Sequence, residues 1–186
     1  MAAFKILTKK EDSSHMLKKL TIVLTLIAAA FMSVSAFQAF QGAVSGHGTL
    51  LVQDTDGNTK RRQFTVNARS SSDGTVSAIA VLHNPAYNGA NGQNYQLQVD
   101  ISCMNRYGNL VFFGGTTRRT NDPNLVDAVY FSVEDNGEPG RNIDRISTVF
   151  FFDDDPDTTG DPQLCMNNQP GDFPMLPIES GNISVR

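Results

Sequence analysis

Apolar and polar residues alternate with a period of two through most of this chain, and that pattern sets its fold class. The clearest example is residues 95–103, whose apolar members are Tyr95, Leu97, Val99, Ile101 and Cys103. Successive side chains of a β-strand point to opposite faces, so the pattern predicts strands with one buried and one solvated face. Residues 63–69 and 129–134 repeat it. We therefore predict an all-β protein.

Short turn sequences separate these runs, at residues 54–58, 72–74 and 106–109. Connections of this kind favour antiparallel neighbours. We count about eight strands, from a first near residues 47–53 to a last near 182–186, with no segment that reads as a helix. The prediction is a single domain with a mostly antiparallel meander, closed as a barrel, with a two-sheet sandwich as the alternative.

Three further segments, residues 75–82, 110–117 and 146–152, are apolar at successive positions. A strand is buried on both faces when it lies in the middle of a sheet or under a covering loop. We expect each of these segments to be a strand of one of these two kinds.

The first 36 residues have the pattern of an export signal. A lysine pair at 18–19 precedes the apolar run 20–31, and small residues at 34–36 suit a signal-peptidase site. We predict cleavage near Ala36, a secreted or periplasmic protein, and no stable membrane insertion after cleavage. A retained anchor is the alternative, and translation from Met16 is left open as a second start.

Removal of residues 1–36 changes the charge balance. The whole chain has a net charge of −4, and this segment carries five lysines against one Glu and one Asp, so the remainder has a net charge of −7. An acidic surface argues against nucleic acid and anionic membranes as partners. We divide the remainder into a short extension, residues 37–46, and a β domain, residues 47–186.

The chain has two cysteines, Cys103 and Cys165. Disulfides persist in the compartments that exported proteins reach, so we predict that the two are paired. The alternative is a catalytic thiol with His47 or His83 as its partner. Cys165 lies in residues 153–181, a stretch with five prolines and no sustained period. We expect the disulfide to pin this loop across the domain, where it covers apolar strand surface.

An acidic cluster follows the aromatic run at residues 150–152. Its oxygen ligands would come from Asp153, Asp155, Asp157 and Asp161. Calcium prefers carboxylate oxygens in flexible loops, and it is the one cofactor that the sequence suggests. The spacing is not that of an EF-hand, and the alternative is a solvated loop that keeps an aromatic strand from aggregating.

Asp135, Asn136 and Glu138 surround an Asn-Gly pair that favours a turn with positive backbone φ angles. The interpretation that we prefer is a loop tied by charge-assisted hydrogen bonds, and the alternative is a ligand site carried by the loop. Asp100 and His83 are further ligand-binding candidates. With Asp135 they would serve a runner-up function, a small-molecule enzyme at a barrel mouth.

Four motifs follow one another in a fixed order: D-I-x-C at 100–103, E-D-N-G-E at 134–138, D-R-I-S at 144–147 and P-I-E-x-G-N-I-x-V-R at 177–186. The ordered set resembles an uncharacterised family of small exported bacterial β-rich proteins. The resemblance implies export, a β-rich domain and a Cys103–Cys165 pair, and it supplies no catalytic residue. We therefore predict a non-enzymatic binding or structural role at or beyond the cell envelope, with a glycan, a small molecule or a protein as the ligand.

Overall fold

A computed structural model describes residues 41–147, 150–151 and 160–186 of the chain. The export-signal prediction for residues 1–36 and the candidate ligands Asp153, Asp155 and Asp157 lie outside the described residues. Among the described residues, no helix has the length and apolarity that a membrane span requires.

The all-β prediction is confirmed, and the described residues form ten strands rather than about eight. The strands are β1 (Gly42–Gln53), β2 (Thr59–Ser70), β3 (Val76–Asn88), β4 (Asn94–Tyr107), β5 (Leu110–Thr120), β6 (Ala128–Glu134), β7 (Arg145–Ser147), β8 (Phe150–Phe151), β9 (Met175–Pro177) and β10 (Ser180–Val185). The first strand begins at Gly42, so part of the predicted extension 37–46 belongs to the sheet. The Pro-rich stretch is not wholly irregular either, because it contains a 3₁₀ helix, Pro162–Asn167, and β9.

All ten strands pair antiparallel in one curled sheet, with the order β10-β1-β2-β3-β4-β5-β6-β7-β9 and with β8 beside β6. Strands β1 to β6 form the predicted meander. The sheet is a half-barrel whose order ends at β10 and β9, so closure as a barrel is not confirmed. The described strands belong to one sheet, which differs from the sandwich alternative.

The inner face of the sheet holds the main core. Phe64, Val66 and Ala68 of β2 are buried at alternate positions, as the period of two predicts, and so are Leu97 and Val99 of β4. Farther along the sheet, the rings of Phe113 in β5 and Phe131 in β6 stack with their centroids 4.9 Å apart. Burial of apolar area of this kind stabilises a fold by roughly 25 cal/mol per Å².

Strands β5 and β6 are buried on both faces because residues 160–174, the covering segment, pack on the outer face of the sheet. The side chains beneath the covering segment include Cys103, Phe112, Ala128 and Tyr130. The prediction that residues 110–117 form a central or covered strand is confirmed. Strand β3, which is separated from β5 by β4, is central but uncovered, and its outward-facing Val81 is 45% exposed.

Candidate functional site

Cys103 and Cys165 form a disulfide, with their Cα atoms 6.1 Å apart. The ladder between β4 and β5 shifts register between Ile101 and Cys103, and this irregularity turns Cys103 to the outer face. Both cysteines are buried. The predicted pairing is confirmed, and the alternative of a catalytic thiol is wrong for this oxidised chain.

The covering segment needs a glycine below it. A side chain at Gly114 of β5 would overlap the carbonyl of Pro162 and touch Cβ of Cys165. The Tyr130 hydroxyl donates to the carbonyl of Asp161, and the amide of Asn105 donates to the carbonyl of Met166 at 3.1 Å. The covering segment is therefore fixed by a covalent bond, by close backbone packing and by hydrogen bonds.

The loop between β6 and β7 meets the free edge of β10 through two carboxylates. Asp144 is fully buried, and its oxygens accept from the backbone N–H groups of Asn136 and Ile183, each at 2.8 Å. Asp135 accepts from the N–H of Val185 at 2.9 Å. These acceptors take the place of a neighbouring strand along an edge that otherwise leaves N–H groups unpaired. We call this set of contacts the closing seam.

Two more predicted residues belong to the closing seam. Asn182 donates to Glu138 at 2.8 Å and accepts from the N–H of Gly140 at 2.9 Å. The Asn136 amide donates to the carbonyl of Ile143 at 2.8 Å. The structure thus brings Asp135, Asn136 and Glu138 together as ties within the fold, as in the interpretation that we preferred.

The residues proposed for the runner-up enzyme are not assembled. Asp100 is exposed and pairs with Arg118 at 3.4 Å. In the β3–β4 ladder His83 faces Gln96, and Asp100 faces Ile79. This offset of four residues separates Asp100 from His83 by roughly 13 Å along the strands. Asp135 is engaged in the closing seam.

Asp161 is the described member of the predicted calcium set. It precedes the 3₁₀ helix, where its carboxylate accepts from the N–H of Gln163 at 2.9 Å as an N-cap. Across residues 41–147, 150–151 and 160–186, no group of three or more His, Cys, Asp or Glu side chains is placed to hold a metal ion.

A buried row that contains polar side chains, at one end of the inner face, was missed by the sequence reasoning. Arg62 of β2 faces Leu50 of β1, and Asn84 of β3 faces Tyr95 of β4. Gln63 pairs with His83, so Arg62 and Asn84 are neighbours across β2 and β3. We call these four residues the end layer, and all four are buried. The sequence does contain a signal for the burial of Arg62, because Arg62 continues the alternation of Phe64, Val66 and Ala68 on the inward side.

The guanidinium of Arg62 is the unusual group in the end layer. Arg62 is 8% exposed, and its buried Nε has no hydrogen-bond acceptor among the described residues. Burial lowers the pKa of Arg62, because desolvation disfavours the charged form. Asn84 accepts from the N–H of Ala86 at 3.2 Å.

Tyr95 ends the row on β4. Burial raises the pKa of Tyr95 to about 12. Its ring meets that of Tyr87 edge to face, with the centroids 5.4 Å apart. The hydroxyl of Tyr87 donates to Asp122 at 2.8 Å, and this bond raises the pKa of Tyr87. Asp122 therefore lies on the Tyr95 side of the end layer, where Tyr87 is its hydrogen-bond partner.

An apolar cavity of about 20 Å³ lies deeper on the inner face, and its lining does not include the four end-layer residues. Val66, Ala80 and Val99 line its far side, and Phe64, Leu82 and Leu97 line the side toward the end layer. Each of the last three is two positions along its strand from a member of the end layer, so the cavity is one layer deeper on the inner face. Space of this size holds about one water-sized group.

Comparisons of this chain with protein-family models, with curated proteins and with solved structures give no match.

Proposed function

We propose that this chain is an exported, non-enzymatic β domain that acts at or beyond the cell envelope by binding a ligand or as a structural module. The observation that carries the proposal is the buried Cys103–Cys165 disulfide, which clamps the covering segment to the sheet. Such bonds persist in oxidising compartments and are rare in the cytosol. The pattern of residues 1–36 supplies the route, with cleavage near Ala36.

The non-enzymatic part of the proposal is supported by what the candidate polar groups do. Asp135 and Glu138 accept hydrogen bonds in the closing seam, and Asp100 pairs with Arg118. Catalytic acids and bases need to converge on a shared pocket, and Asp100 and His83 are separated along the strands.

We also propose that the half-barrel closes as a barrel at the closing seam, with carboxylates in place of a ladder. In support, the N–H of Ile178 donates to the carbonyl of Asp144 at 3.0 Å, and the N–H of Glu179 donates to that of Thr49 at 2.6 Å. Ile178 and Glu179, two successive residues between β9 and β10, thus bond to the residue before β7 and to β1, near the two ends of the strand order.

Kinship with the exported family that the chain resembles is part of the same proposal. Three of its four motifs, at 134–138, 144–147 and 177–186, contribute to the closing seam or its strands. These motifs supply residues that contact one another in a single fold. Such contacts give a physical reason for the motifs to occur together in one order.

Export is tested by expression of the full chain in a bacterial host, followed by fractionation and intact-mass measurement. We expect a periplasmic or secreted product that begins at Phe37 and is two hydrogens lighter than the dithiol form. Leu24→Arg places a charge in the apolar run and should block export, whereas Leu17→Arg, before the lysine pair, should not. A reduced, uncleaved, cytosolic wild-type chain would contradict the proposal.

The binding role is tested by a glycan and metabolite screen on the oxidised protein. A saturable ligand in either class supports binding over a purely structural role. Turnover of any compound in the screen would contradict the non-enzymatic assignment.

A further inference from the structure

Three consecutive cations on β2 have different surroundings. Lys60 pairs with Asp54 at 3.5 Å, and Arg61 pairs with Glu179 at 2.9 Å. Arg62, the most buried of the three, has neither an ion pair nor an acceptor for its Nε–H within the described part of the chain. Physical chemistry predicts the reverse order, because a buried charge needs a partner most. This reversal points to a partner that is not part of the described fold.

The surroundings of Arg62 indicate what that partner is. A guanidinium offers a planar fork of N–H donors that matches a carboxylate, and Asn84 of β3 follows the Gln63–His83 pair on the same inward face. One unpaired cation in a buried layer neutralises one negative charge. A dianion such as phosphate would leave an uncompensated charge there, so the end layer suits a monoanion.

The cavity one layer below the end layer adds a second requirement. Its lining includes Phe64, Leu82 and Leu97, and it has room for a group about the size of a methyl. An apolar substituent on the anion would fill this space and gain free energy by leaving water.

We propose that the Arg62–Asn84 end of the inner face binds a small monocarboxylate, with the carboxylate on the Arg62 guanidinium and a short apolar substituent that extends to the cavity one layer deeper. This inference rests on the binding role proposed above and names its ligand class. It is independent of export, which is tested by fractionation.

The test is thermal melting of the oxidised full chain in formate, acetate and butyrate, against chloride and inorganic phosphate at equal ionic strength. We expect a saturable rise in melting temperature that is larger for butyrate than for formate. Arg62→Met should abolish the rise, and Arg69→Met, which removes an exposed arginine from the same strand, should leave it intact. Without ligand, Arg62→Met should melt above the wild type, because it removes an unpaired buried charge.

If Arg62→Met does not fold, two other variants test the same binding site. Arg62→Lys retains the charge without the fork and should weaken butyrate binding. Ala80→Val narrows the cavity and should reduce the advantage of butyrate over formate. The proposal is overturned by a wild-type protein with no saturable carboxylate effect, by an equal response to phosphate, or by an unchanged response in Arg62→Met.

Discussion

The backbone N–H of Ile183 donates to the buried carboxylate of Asp144 at 2.8 Å, although 39 positions separate the two residues. The other carboxylate oxygen accepts from Asn136, so one side chain joins the β6–β7 loop to the edge of β10. Both oxygens must be acceptors for this arrangement to hold.

Asp144→Asn tests that requirement. The substituted amide would direct an NH₂ group at one of the two N–H donors, which leaves a buried donor without an acceptor. We expect the free energy of unfolding to fall by about 2–4 kcal/mol. Urea unfolding followed by circular dichroism measures it, with Asp56→Asn in the exposed β1–β2 turn as the control. Equal stability of the two variants would contradict the role of the closing seam.

Loss of the disulfide should weaken the fold and release the covering segment. For a loop of 62 residues, the chain-entropy argument gives a loss of about 4 kcal/mol. We expect Cys103→Ala/Cys165→Ala to show faster hydrogen exchange at residues 160–174, with β1 to β3 less affected. Uniform acceleration over all strands would contradict a local clamp.

Gly114→Ala should disturb the same contact from below, because the added methyl group meets the Pro162 carbonyl. Overpacking of this kind costs about 1–3 kcal/mol. Gly46→Ala is the matched control, since its methyl group would meet side chains of Ile183 and Val66 at 3.2 Å, which can adjust. The prediction is contradicted if Gly46→Ala is the more destabilising of the two.

Tyr95 makes stability depend on pH in the alkaline range. Its folded-state pKa is raised to about 12, so the protein favours the neutral phenol. That contribution is complete below the unfolded-state pKa of about 10 and is lost as the pH rises toward 12. Of the four tyrosines, Tyr95 should ionise late in an absorbance titration. Tyr95→Phe should remove the late phase and flatten the fall in stability, and an unchanged late phase would contradict the assignment.

The parts of the fold that depend on local pattern could be predicted from the sequence. Alternation identified the inward residues Phe64 and Val66, and turn sequences identified the antiparallel meander. Strands such as β7 and β8, with three and two residues, carry no period that a sequence pattern can reveal. They form because the backbone of β6 pairs with theirs.

The candidate site was harder to predict because it depends on register. The roles of Asp135 and Asp144 follow from β10 lying beside β1, which no local pattern specifies. Arg62 could be placed on the inward face from its spacing to Phe64, but its lack of a partner required the neighbouring strands. Local sequence patterns thus locate strands, whereas the pairing of distant strands determines which buried polar groups lack a hydrogen-bond partner.

The pairing of β1 with β10 also bears on the order in which the molecule can be made. Thr49 and Ser180 bond through their hydroxyls across 131 positions, so β1 leaves a ribosome or a translocation pore long before its partner. Until then β1 has one open edge, and Asp144 has no Ile183 to accept from. The contacts between β1 and β10 cannot form before residues 180–185 have emerged, so a chain that emerges amino terminus first keeps this edge of β1 open until then.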